Sequence, residues 1–144
     1  MYYDYISKDL NFGLSKEIEL EQILKQEYDE TLNKTSKYCC WDYEGDDCVI
    51  EIKSRKNTYK KYPTTMIGQN KIDKMLKLNK KKILIFCFTD GVYYFILDEN
   101  SIDKCRQNCY GGRFDRGFNE YKSNGYCFIP IEELTLLCLY LPKS

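Results

Sequence analysis

Glu51 and Lys53 stand two apart in VIEIKSR, residues 49–55, a run otherwise suited to a buried strand. Side chains of a strand alternate between its faces, so Val49, Glu51 and Lys53 share one face while Cys48, Ile50 and Ile52 share the other. A carboxylate displayed beside an ammonium offers a hard oxygen ligand for a divalent cation and a point charge for an anion. The plainer alternative is an ion pair on a half-solvated sheet, worth at most ~1 kcal/mol. Frequency does not choose between them: 11 Glu and 18 Lys in 144 residues give about 1.4 Glu-x-Lys matches by chance, and Glu120 with Lys122 is a second match.

The elements that must carry this pair can be read on either side of it. From Leu14 to about Leu32 the pattern is that of an amphipathic helix with Ser15 as N-cap; Glu17 and Glu21 fall inside its apolar arc, so two carboxylates are expected to look toward the body of the protein. SKYCCWDY reads as a strand with Asp42 late in it, EGDD as a turn, and CVIEIKSR as the second arm of a hairpin. The lysine-rich loop KNTYKKYPTT follows, then a helix from about Ile67 to Leu78 striped by Ile72, Met75 and Leu76, with Gln69 on the same face. KILIFCFT, DG and VYYFIL make the clearest hairpin of the chain. Strand, crossover helix and strand predict a parallel, right-handed pairing of CVIEIKS with KILIFCFT in a mixed sheet, with helices on both faces. Beyond residue 98 the reading is a glycine-rich loop GGRFDRG, a short strand YCFIPI and a closing helix EELTLLCLYL.

Composition bounds the function. A chain of 144 residues, 43% hydrophobic and 15% aromatic, is expected to fold as one domain spanning 1–144. It has no apolar run near eighteen residues, and MYYDYISKDL lacks the basic start and apolar middle of a signal peptide, so the expectation is a soluble intracellular protein with no membrane partner. Eight cysteines include no Cys-x-x-Cys pair and there is no histidine; reduced thiols are the preferred reading, with a zinc site using Cys105, Cys109 and Cys127 as the minor one. The net charge is zero, yet residues 53–82 hold eleven Lys or Arg against the single acid Asp73. Such segregation suits a polyanion on one side, and equally a solvated lysine-rich helix and loop.

Helix with inward Glu, strand with Asp42, strand with Glu51-x-Lys53, helix with inward Gln69, then strand: this order resembles the PD-(D/E)XK nuclease superfamily over roughly Gly13 to Leu97. The resemblance implies an α/β, restriction-endonuclease-like three-layer fold, a mixed central β-sheet flanked by helices on an α-β-β-α-β core. Asp42 takes the place of the first acid, Glu51 and Lys53 supply the (D/E)XK, and Gln69 occupies the helix position where many members carry glutamine. Glu17 is the helix acid favoured by FGLSKE, with Glu21 as its rival. Trp41 replaces the usual proline, and the three-stranded meander of the family shows only one hairpin. The stretches EIKSRKNTYKKYPTTMIGQNK, FTDGVYYF and GGRFDRG also look like small nucleases of large DNA viruses, which implies host cytoplasm or nucleus as the compartment.

The resemblance implies a metal-dependent DNA nuclease. Hydrolysis of a phosphodiester needs a nucleophilic water and relief of developing negative charge, and a divalent cation held by oxygen ligands serves both needs. Asp42 and Glu51 would hold Mg²⁺ (or Mn²⁺), with the Ile52 carbonyl as a further ligand; Lys53 would touch the water or the scissile phosphate, and Gln69 would orient Lys53 or a phosphate. Lys56, Lys60, Lys61, Lys71 and Lys74, with Arg113 and Arg116 of the glycine-rich loop, are expected on the DNA backbone. The rivals are a non-catalytic nucleic-acid-binding derivative of the same fold and a zinc-stabilised interaction protein. The sequence leaves substrate structure, sequence specificity and homo-oligomerisation open.

Overall fold

The structure is a computed structural model that describes residues 12–109 and 125–139, without the side chains of 12–19 and 139. In chain order its elements are helix α1 (Phe12–Glu27), strands β1 (Asn33–Lys34), β2 (Tyr43–Glu44), β3 (Cys48–Ser54) and β4 (Thr64–Gly68), helix α2 (Gln69–Leu76), strands β5 (Lys81–Phe88) and β6 (Gly91–Leu97), the short helix α3 (Glu99–Ile102), strands β7 (Arg106–Cys109) and β8 (Tyr126–Pro130), a 3₁₀ turn at Ile131–Glu133, and strand β9 (Thr135–Leu139). Six strands form one mixed sheet in the order β1-β2-β3-β5-β6-β9, and three form a second sheet in the order β4-β8-β7.

The expected parallel pairing is the centre of the large sheet. β3 and β5 run side by side from Cys48 opposite Lys81 to Ser54 opposite Cys87, and the β5–β6 hairpin turns through Thr89 and Asp90, one residue before the predicted DG. The two faces of this sheet are covered differently. Leu20 and Leu24 of α1 pack with Ile50, Ile83 and Ile85 on one face. Ile72 and Met75 of α2 pack with Val49, Leu84 and Phe86 on the other, together with Ile67, Cys127 and Ile129 from the small sheet.

Four expectations change. The helix ends at Glu27 rather than Leu32, because the Asp29 carboxylate accepts hydrogen bonds from Thr31 N–H (2.9 Å) and Asp47 N–H (2.8 Å) and turns the chain toward the sheet. The strand read into SKYCCWDY shrinks to Tyr43–Glu44; residues 36–41 bow out between Thr35 and Asp42, whose backbones are joined at 2.9 Å, and β1 supplies the third strand of the meander. Ile67 was expected to open the second helix, but Thr65 and Ile67 alternate inward as β4, and α2 starts two residues later. TLLCL is a strand rather than a helix. So short a run, a threonine and four apolar residues, has no decisive period, and here it satisfies the open edge of β6.

Candidate metal and phosphodiester site

β3 delivers its odd-numbered side chains to the α2 face, so Glu51 follows Val49 into the core and is only 2% exposed. It is not half of a solvated surface pair. Its Oε2 meets two ammonium groups, Lys71 Nζ at 2.5 Å and Lys53 Nζ at 3.3 Å. Among the described residues its Oε1 is buried with no hydrogen-bond partner. Burial is the chief cause that pushes the Glu51 carboxyl above its usual range, and nearby Asp42 adds to it; Lys71 and Lys53 pull the other way. Desolvation of this acid thus outweighs the two cations beside it.

Asp42 immediately precedes β2, and its Oδ2 accepts the Ile52 N–H at 2.7 Å. The backbone explains why that amide is free to bond a side chain. β2 pairs with β3 only through Tyr43–Ile50 and Glu44–Val49, so beyond Ile50 the outer edge of β3 has no strand beside it among the described residues. The amide of Ile52 therefore turns to Asp42. A residue's N–H and C=O point to the same side of its strand, which leaves the Ile52 carbonyl on that same open edge, beside Asp42 and one residue from Glu51. Lys53 is partly exposed at the mouth. Asp42, Glu51, the Ile52 backbone and Lys53 are thus brought together as expected.

Gln69 is 1% exposed, but its amide is engaged elsewhere. Nε2 donates to Asp73 Oδ1 and to Gln107 Oε1, each at 3.0 Å, and Oε1 accepts the Asn108 N–H at 2.9 Å. Its own N–H donates to Gly125 O at 3.0 Å. Among the described residues Gln69 therefore fastens the start of α2 to β7 and the approach to β8, and no bond joins it to Lys53, which, or else a phosphate, it was expected to orient. Asn108 turns with φ 58, a conformation asparagine tolerates.

With that geometry in view, comparison with known proteins is informative. The profile of the family described as Phage putative PDDEXK endonuclease matches residues 10–137. The chain belongs to this family. No curated protein and no solved structure matches it. Membership supports the PD-(D/E)XK assignment of the fold and of the chain as a nuclease relative; the family description names phage, and the likeness to nucleases of large DNA viruses gains no support from it.

Within this family member, Lys71 needs reassignment. It was expected on the DNA backbone, yet it is the nearer of the two cations on Glu51. The sequence did carry a signal: Lys71 lies one turn before buried Met75 on the same helical face. Glu21 pairs with Lys25 at 3.9 Å on a half-exposed flank of α1. The side chain of Glu17 lies outside the described residues, as do Arg113 and Arg116. Lys56, Lys60 and Lys61 are exposed on the loop before β4. Backbone and side-chain bonds hold that loop: Thr89 N–H to Asn57 O at 3.1 Å, Tyr59 N–H to Asp90 Oδ1 at 2.9 Å, and Tyr59 hydroxyl to Ile131 O at 2.6 Å. Lys74 is exposed on α2 with its Nζ 3.7 Å from Cys40 Sγ. All eight cysteines are free thiols, and no group of three His, Cys, Asp or Glu side chains gathers as a metal site among the described residues. No helix among them is long and apolar enough to cross a membrane.

Proposed function

We propose that the protein hydrolyses phosphodiester bonds of DNA with a divalent cation, Mg²⁺ or Mn²⁺, at Asp42 and Glu51. The observation that carries this reading is the buried Oε1 of Glu51, beside Asp42 and without a hydrogen-bond partner among the described residues. A buried carboxylate oxygen without a donor is costly, and two hard oxygens with a backbone carbonyl at hand suit a cation of this class. When bound, the cation would activate a water and neutralise charge on the phosphate.

The chain's own residues do the rest. Asp42 and Glu51 hold the cation, and the Ile52 carbonyl completes the protein's side of its shell. Lys53, free enough to reach solvent, meets the phosphate or the attacking water. Lys71 holds Glu51 Oε2 in place and limits the negative charge that the pocket must carry. Lys56, Lys60 and Lys61, on their anchored loop, meet backbone phosphates.

The test is incubation with Mg²⁺ of linear, nicked, circular, branched and single-stranded DNAs. Cleavage of at least one substrate, lost in folded Glu51→Gln and in folded Asp42→Asn, is the expected result. Unchanged cleavage by both variants sinks the site assignment. Binding without cleavage under every condition would favour the non-catalytic derivative, in which Lys71 permanently neutralises Glu51. Replacing Lys56, Lys60 and Lys61 together by alanine should flatten the slope of log affinity against log salt by roughly 0.9 per lost contact on duplex. An unchanged slope means that these lysines only solvate their loop.

A further inference from the structure

A second feature lies on the same face of β3, beyond Lys53. A cavity of about 360 Å³ is lined by Arg55, Asn57, Tyr59, Tyr62, Phe88 and Phe128 among others, at the lower end of the range for small-ligand sites. The charged residue of its lining is Arg55. The Arg55 guanidinium donates to Thr65 Oγ1 (3.2 Å), Ser54 O (3.2 Å) and Met66 O (2.5 Å). Those bonds use three of its five N–H groups, and no carboxylate among the described residues pairs with it. Burial alone pulls its pKa down. The site therefore holds a partly buried cation with donors to spare and no anion.

The walls are aromatic, and they are not equally free. Tyr59 is already stacked on Tyr93, centroids 4.0 Å apart and planes at 3°, with Phe88 edge-on at 5.8 Å. Tyr62 is different. It is 53% exposed at the rim, beside Lys61. Rigid ring below, open ring at the mouth and an unpaired guanidinium match the two halves of a nucleotide, a flat base and an anionic phosphate. The surrounding exposed lysines 56, 60 and 61 suit the strand to which such a nucleotide belongs. Position agrees: Arg55 continues the ladder of β3, its N–H donating to Cys87 O, and lies four residues from Glu51, or roughly 13 Å along a strand.

We infer that this cavity receives one unstacked nucleotide of the bound nucleic-acid strand, its base on Tyr62 and its phosphate on Arg55, a few nucleotides from the bond at Glu51. The inference rests on the nuclease reading above and narrows it, because a base held in a duplex stack cannot enter. The substrate it selects has an unpaired or extrudable nucleotide near the cleavage position.

The experiment measures binding in Ca²⁺, at several salt concentrations, of a fluorescent single-stranded oligonucleotide, the same strand with abasic residues throughout, a blunt duplex, and free deoxyadenosine monophosphate. Wild type should bind the normal strand more tightly than the abasic one. Tyr62→Ala should weaken the normal strand about tenfold, within the range for one stacked base, leave the abasic strand within about twofold, and keep the salt slope. Tyr62→Trp, which restores a ring, should recover the affinity. Equal loss on normal and abasic strands, or no loss on either, overturns the inference. So does a free mononucleotide that binds as tightly as the strand, since the cavity would then serve a small molecule. Wild type that cleaves DNA while Tyr62→Ala behaves like it removes only the cavity's role; wild type that binds no nucleic acid removes the nuclease reading with it.

Discussion

Two carboxylates are buried among the described residues, Asp29 and Glu51, and the chain treats them in opposite ways. Asp29 is surrounded by donors: Thr31 N–H and hydroxyl reach Oδ1, and Asp47 N–H reaches Oδ2. Gly45 packs against the same carboxylate, where a Cβ would come within 2.5 Å of Oδ2. Those hydrogen bonds, with the Thr31 hydroxyl first, hold the Asp29 carboxyl below its usual range. Glu51 has one oxygen crowded by cations and the other without a partner among the described residues, and its carboxyl is pushed up. A buried acid whose bonds are complete serves as a fastener. One whose bonds are incomplete is a candidate for a ligand from solution, which is the role proposed for Glu51.

The contrast breaks most sharply in cleavage. Glu51→Gln should lower the rate by roughly a thousandfold or more, since a lost ligand removes several kcal/mol of transition-state stabilisation. Asp29→Asn should leave the rate per folded molecule within about twofold. Comparable losses in both variants, in gel assays of soluble protein at matched folded concentration, would erase the distinction between the two acids.

Metal affinity comes next. Lys71→Met releases Glu51 Oε2 from its nearest cation, so Ca²⁺ measured by calorimetry should bind about fivefold more tightly, the equivalent of a ~1 kcal/mol ion pair. The same substitution has no route to Asp29. Weaker Ca²⁺ binding in Lys71→Met would instead make Lys71 a support that the carboxylate needs.

Thermal unfolding should rank the pair the other way round. Asp29→Asn should lower the Tm, because three donors lose a charged acceptor, whereas Glu51→Gln should raise it by removing a desolvated charge. A rise in both would mean that the Asp29 turn is not held by its ionised form.

The smallest effect is in pH. The depressed folded-state pKa of Asp29 contributes stability that is present above the unfolded value of about 3.9 and is lost as pH falls through the folded value. Glu51 acts with opposite sign: its raised folded-state pKa means that stability falls as pH climbs from the unfolded value of about 4.3 toward the folded one. Urea unfolding between pH 3 and pH 7 should therefore show a shallower acid limb in Asp29→Asn. In Glu51→Gln the advantage over wild type should widen with pH. Parallel curves for the two variants contradict both assignments.

How much of this could be read beforehand depends on the range of the interaction. The faces of β3 followed from alternation, and the parallel partner from a strand, helix, strand order; both signals are local. That is why the proximity of Asp42, Glu51 and Lys53 could be read from the sequence. Asp29 was hidden inside an apparently continuous helical pattern, because its partner Asp47 lies eighteen residues away. Lys71 looked like one more lysine of a basic segment. Only the placement of α2 over β3 brings it to Glu51. Gln69 was correctly read as inward, but its partners Gln107 and Asn108 sit on β7, a four-residue strand without a hydrophobic pattern to announce it. β9 was misread because its apolar run fits either period, and the vacancy beside β6 decided the matter.

The seven matched positions of β3 and β5 also bear on how the chain reaches its native form. Sliding β3 by one residue would exchange its faces, sending Glu51 and Lys53 against Leu20 and Leu24 while Ile50 and Ile52 replaced them under α2. Two charges would then meet an aliphatic layer that offers them no partner. Glu51 and Lys53 thus also proofread the central pairing, penalising the misaligned sheet before the native fold is complete. A single-residue insertion within β3 should be fatal to folding, whereas the loop at 56–63 has no such alignment to protect.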